Sequence, residues 1–201
     1  MRVVGLGGSM RPASTSLAAA QFAVAAAADA GAQTTVFDVR ALDLPTYRPG
    51  DDPTPQVREF VEATADAHAM VWASPMYHGS ISGSFKNVLD WLQLLADHDP
   101  PYLTDKIVGL VATAGGTQGL QAVNTMEFIA RALRAWTVPL VLPIAQSWQA
   151  FDDAGNLRDQ GTGAQLRTLG SEVLRAARQI SATGTCDYAD HAGGTASTLR
   201  E

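Results

Sequence analysis

The sequence predicts an α/β fold, a three-layer sandwich in which helices cover both faces of a five-stranded parallel sheet. Three observations predict it. Short runs rich in valine, isoleucine and leucine recur along the chain and are apolar throughout rather than alternating, as in strands buried on both faces. Longer segments with helical spacing separate them, so that strand and helix alternate along the chain. The 201 residues suit one medium domain, large enough to bury a core without disulfides or a structural metal.

The first strand is Val3-Val4-Gly5-Leu6, too short for a helix and broken by Gly7-Gly8-Ser9-Met10-Arg11-Pro12. An alanine-rich helix follows from Ser14 to about Ala30, with Ser14 or Ser16 as N-cap and Gly31 at its close. Thr34 to Val39 is β-branched and reads as the second strand. The stretch from Leu44 to Pro55, rich in proline with Gly50, Asp51 and Asp52, is a loop. Apolar residues at Val57, Phe60, Val61 and Ala65 give an amphipathic helix over 55–67. Ala69 to Ala73 is a third buried strand, ended by Ser74-Pro75, and a helix is expected over 85–95. Lys106 to Ala112 is the fourth strand, followed by Gly115-Gly116 and a helix over 120–134. Thr137 to Leu142 is the fifth, where Pro139 indicates an edge position. A last helix runs from Thr162 to about Ser181. Right-handed crossovers leave few arrangements, and five strands fit the flavodoxin-like order 2-1-3-4-5. Residues 1–181 are expected to form the domain and the small, polar residues 182–201 a flexible C-terminal tail.

Composition narrows the function. A net charge of −6 argues against nucleic-acid binding. The lone Cys186 excludes a disulfide framework and a Cys-rich zinc site, and His68, His78, His98 and His191 lack ligand spacing, so no metal site is expected. No stretch reaches the roughly 18–20 apolar residues of a membrane span, and the N-terminus does not read as a secretory signal. The expectation is a soluble cytoplasmic protein with no membrane partner.

In an open parallel sheet, ligands bind beyond the carboxyl ends of the strands. The loops after strands one, three and four are rich in glycine and hydroxyls. The first offers Ser9, Ser14, Thr15 and Ser16 beside Arg11 at a helix start. Free helix N–H groups, hydroxyls and a guanidinium fork together make a phosphate site; a mere cap would need one hydroxyl. Gly5-x-Gly7 is present but Met10 holds the third glycine's place, so the loop is no dinucleotide fingerprint, and no Gly-Lys-Ser/Thr follows. Asp38 reads as a solvated strand end. The second loop is Pro75-Met76-Tyr77-His78-Gly79-Ser80, stiff enough to lay backbone amides and an aromatic ring against a planar ligand.

The combination Gly8-Ser9-x-Arg11-x-x-Ser14, Pro75-x-Tyr77-x-x-Ser80 and Gly83-x-x-Lys86-Asn87-x-x-Asp90-Trp91 resembles the NADPH-dependent FMN reductase family. That family spans FMN, quinone, chromate and azo reductases on a flavodoxin-like fold. The resemblance implies that Ser9, Arg11, Ser14 and Ser16 hold the FMN phosphate, with Thr15 among them as a further donor; asparagine in many relatives stands where Ser16 is. It implies that Pro75, Met76, Tyr77, His78 and Gly79 lie along the flavin, with Ser80 nearby. The third loop, Thr113, Ala114, Gly115 and Gly116, would run along the other edge. NADPH or NADH would deliver hydride to flavin N5, and electrons would pass to a flavin, quinone or other small acceptor. Hydride transfer needs no protein acid or base, so no catalytic side chain is expected; His78 is the one candidate, and its backbone rather than its ring is expected at the flavin. Arg48 is a candidate for a nicotinamide 2′-phosphate, though a surface arginine is the plainer reading.

Lys86 and Asp90 are spaced for a helical ion pair. Val88, Leu89, Trp91, Leu92, Leu94 and Leu95 encircle the same helix, which predicts a subunit contact. The resemblance implies a homo-oligomer too, a dimer or tetramer, with Trp148 and Phe151 as neighbouring-subunit walls or as core. Two alternatives to a reductase are a flavodoxin-like electron carrier and a flavin-dependent enzyme that tailors a metabolite in a biosynthetic pathway.

Overall fold

In the computed structural model, which describes residues 1–183, the sheet is built around β1 (Arg2–Gly7). It pairs in parallel with β2 (Gln33–Asp38) on one side and β3 (Ala69–Tyr77) on the other. Beyond β3 lie β5 (Ile107–Thr113) and the edge strand β6 (Trp136–Ile144), giving the order β2-β1-β3-β5-β6. These are the five parallel strands of the flavodoxin-like order. The tail expected over 182–201 falls, from residue 184 onward, outside the described residues, as does Cys186.

A sixth strand, the two-residue β4 (Ser80–Ile81), pairs antiparallel with the end of β3 and was not foreseen. Tyr77 faces Ser80 across a two-residue turn in which His78 and Gly79 have φ of 51° and 80°. Positive φ at both central positions is the type I′ geometry whose twist suits a hairpin. Pro139 lies on the edge strand as its sequence suggested, where the pairing with β5 shifts register between Val108 and Leu110.

Helices cover both faces. On one, α1 (Thr15–Asp29) and α7 (Gln160–Thr183) pack over Val71, Ala73 and Val111. On the other, α3 (Pro55–Asp66), α4 (Gly83–Asp90) and α5 (Leu120–Ala132) enclose Met70, Trp72 and Leu110. Alternate residues of β3 thus feed opposite cores, as the strand period requires. Two four-residue helices complete the chain, α2 (Val39–Leu42) and α6 (Ser147–Ala150). Asp38 caps α2, its carboxylate accepting from Arg40 N–H at 2.9 Å, a structural use of that residue.

The helix expected over 85–95 is not one helix. After α4 the chain tightens into a 3-10 helix over Trp91–Leu95. The apolar girdle is consequently spent inside the chain: Val88, Leu89, Trp91, Leu92 and Leu95 are each at most 3% exposed, and only Leu94, at 38%, reaches solvent. The loop over 43–54 supplies the second cover. Trp91 Nε1 donates to the Pro45 carbonyl at 3.0 Å, Asn87 accepts from Tyr47 N–H at 2.8 Å, and Tyr47 meets Trp91 edge-on. The girdle is thus accounted for within the chain and no longer argues for a subunit contact. The Lys86–Asp90 pair forms at i,i+4 as its spacing required.

Candidate functional site

The carboxyl ends of β1, β3, β5 and β6 carry four segments that meet in one cleft. The first is tied down by backbone and cap bonds. Gly8 N–H donates to the Ala73 carbonyl at 2.7 Å, and the Ser82 hydroxyl donates to the Gly8 carbonyl at 2.7 Å. The Ser82 oxygen also accepts from Phe85 N–H, capping α4. Ser74 completes the knot, accepting from Ser82 N–H and donating to the Pro75 carbonyl. The β1 loop and the β3 loop are thus held by one shared set of hydroxyls.

Within the first segment, Ser9 is buried and its hydroxyl accepts from Arg11 N–H at 3.2 Å, closing the turn. Ser14 is the N-cap of α1, accepting from Leu17 N–H at 3.1 Å. Ser14 and Ser16 hydroxyls lie 3.4 Å apart. Thr15 donates to the Ser147 hydroxyl at 3.1 Å, joining the first loop to the segment after β6. The Arg11 guanidinium is exposed and, among the described residues, has no hydrogen bond or ion pair. Its five donors are not engaged by those residues and can serve an anion.

The cleft is lined by Ser9, Arg11, Thr15 and Ser16 from the first loop, Pro75, Met76 and Tyr77 from the second, and Thr113, Ala114 and Gly115 from the third. Five expected residues do not line it. Ser14 is turned to its capping bond, Gly116 lies past the third wall, and His78, Gly79 and Ser80 are carried off by the hairpin turn between β3 and β4. Arg48 sits exposed on the loop over 43–54, away from the cleft.

The fourth wall is Ser147, Trp148, Phe151, Asp152 and Asp153; the sequence offers Trp148 and Phe151 as a neighbouring subunit's walls or as core, and does not point to Ser147, Asp152 or Asp153. The sequence does carry a signal for it, because β6 ends at the same sheet edge as β1, β3 and β5. Phe151 is 1% exposed and packs beside Phe22 in the α1–α7 core, so it is this chain's own wall and not a neighbour's. Trp148 is 55% exposed at the rim. Asp152 is locked in a turn: one carboxylate oxygen accepts from Ala154 and Asn156 N–H, and the other from the Asn156 side-chain amide. The Asn156 amide, then these backbone donors, hold its carboxyl below the usual aspartate range, so it is an anion at neutral pH.

The donor set fits a phosphate at the amino end of α1, since hydroxyls, helix N–H groups and one guanidinium converge there. Beyond them, the walls formed by Pro75, Met76, Ala114 and Gly115 present backbone and small apolar groups, which fit a flat ring.

Residues 1–149 match the family described as NADPH-dependent FMN reductase. The NADPH-dependent FMN reductase ArsH of Shigella flexneri is 31% identical over 176 residues, covering 87% of this chain and 68% of that protein. The chain spans about two thirds of the length of the ArsH relatives it matches, 65% for that of Acidithiobacillus ferrooxidans. An NADPH:quinone oxidoreductase of Arabidopsis thaliana is 30% identical, covering 84% of this chain and 88% of its own. Among solved structures, the flavoenzyme NAD(P)H:(acceptor) oxidoreductase FerB from Paracoccus denitrificans superposes with a TM-score of 0.71 at 18% identity, over 89% of this chain and 98% of that one, a likeness of fold.

Proposed function

The chain belongs to the NADPH-dependent FMN reductase family, and from that premise we propose that it is an FMN-dependent NAD(P)H oxidoreductase serving a small acceptor such as a flavin or quinone. One observation carries the reading. Ser9, Thr15, Ser16 and the exposed Arg11 converge at the start of α1, in the same cleft whose outer walls are Pro75–Tyr77 and Thr113–Gly115.

In this reading Ser9, Arg11, Thr15 and Ser16 hold the FMN phosphate, and Ser14 fixes the helix turn that aims them. Pro75, Met76 and Tyr77 line one side of the ring, and Thr113, Ala114 and Gly115 the other. His78, Gly79, Ser80 and Gly116 shape the two loops rather than line the cleft. FMN held there would supply the redox chemistry that links nicotinamide to acceptor. The chain excludes water from the deep end with Phe151 and leaves Tyr77 and Trp148 half-exposed at the mouth, where a second planar molecule can stack. With one cleft for donor and acceptor, the two take turns. A cytoplasmic location and a homo-oligomer belong to the same proposal.

The test is anaerobic titration of the FMN-loaded protein with NADPH, and with NADH beside it. Stoichiometric bleaching of the flavin's visible absorption is expected. A flavin that stays oxidised under both nicotinamides would leave the electron-carrier reading in its place.

A further inference from the structure

The cleft that would receive a phosphate is not a cationic one. Among the described residues that line it, Arg11 is the one cation, whereas Asp152 and Asp153 both line it. The chain's two lysines, Lys86 and Lys106, lie elsewhere, on α4 and before β5. A phosphate monoester brings roughly −1.5 to −2 charge at neutral pH, into a site with one positive and two negative side chains. The hydroxyls supply hydrogen bonds but no charge.

The two carboxylates differ in how much of their charge is already engaged. Asp152 is bonded three times within its own turn, and the nearby Arg158 also draws on it. Asp153 follows it directly, is exposed, and accepts no hydrogen bond among the described residues. The Asp152 turn fixes the backbone that carries Asp153, so this second charge stays at the cleft.

From this we infer that Asp153 sets the selectivity of the cleft between phosphorylated and unphosphorylated flavin, weakening the hold on FMN relative to riboflavin. The inference rests on the FMN reading above. At a separation on the order of 10 Å, one charge acting through water on a dianion changes affinity roughly three- to five-fold at low ionic strength, an effect that fades once the Debye length falls to about 3 Å in molar salt.

The test is titration of FMN and of riboflavin, read by flavin fluorescence, with the wild type, Asp153→Asn and Asp153→Glu. Asp153→Asn is expected to tighten FMN about three- to five-fold in low salt and leave riboflavin where it was. Asp153→Glu keeps the wild-type ratio, and the gain of Asp153→Asn vanishes in high salt. Equal shifts for both flavins, or no shift in either, would overturn the inference while leaving the FMN reading intact. A wild type that binds neither flavin would overturn that reading, and this one with it.

Discussion

Gly8 shows how a single residue joins the parts of the cleft. Its backbone is held between Ala73 and Ser82, and a Cβ there would run into the buried ring of Phe85. That ring is fully buried against Trp72, so it has little room to yield. Gly8→Ala is expected to destabilise the fold by about 1–3 kcal/mol and to lower flavin affinity together with it; thermal denaturation and a flavin titration of the same variant check both. An unchanged melting temperature would mean that the first loop and α4 are not tightly coupled. At this scale the sequence was informative where chemistry is local. Ser9, Arg11, Thr15 and Ser16 announce themselves as donors at a helix start, and all four line the cleft. It was uninformative where the use of a side chain depends on a turn. Ser14 reads both as a donor and as one of two candidate N-caps, and its bond from Leu17 N–H decides for the cap, whereas Asp152 carries no signal until its turn brings it to the cleft.

Among the elements, α1 and α7 lie so close that residue choice at their contact is narrow. Gly170 of α7 sits against α1, where an added Cβ would strike the Ala23 carbonyl oxygen and crowd the Ala26 methyl at 3.2 Å. The obstacle is backbone and cannot rotate away. Gly170→Ala is therefore expected to be net destabilising, by about 1–3 kcal/mol, even though alanine favours a helix interior by about 1 kcal/mol. Gly161, in the first turn of the same helix, has its nearest neighbour 3.6 Å away in the Asp159 side chain, so Gly161→Ala is expected to be neutral or mildly stabilising. Chemical denaturation of the two variants separates close packing from helix propensity, and Gly170→Ala matching Gly161→Ala would contradict the close contact. The long elements were legible because their periodicity is long. The 3-10 helix over 91–95 and the β3–β4 hairpin were not. The first differs from an α-helix by a change of winding that leaves the apolar spacing ambiguous, and the second rests on positive φ at His78, which nothing in its side chain demands. That ambiguity is why the apolar girdle suggested an interface when it is core.

For the molecule as a whole, the sheet order is one of the few that alternation and crossover handedness allow, and it places four loops at one edge. The homo-oligomer proposed above needs a different surface from the one first expected. Phe128 on α5 is 71% exposed and Trp136 at the start of the edge strand is 57% exposed. Sedimentation velocity is expected to find a dimer or larger, and Phe128→Ser to shift it toward monomer; a wild-type monomer across the accessible concentration range would contradict the proposal. The central claim is that the cleft at the carboxyl edge of the sheet holds FMN through the first loop. Equilibrium binding of FMN to the wild type and to Arg11→Ala tests it most directly, with riboflavin as the phosphate-free control. The account predicts saturation at one FMN per chain, a loss of about ten-fold or more in Arg11→Ala for FMN, and little change for riboflavin. Absent saturable FMN binding, or an Arg11→Ala variant that holds FMN as tightly as the wild type, would contradict it.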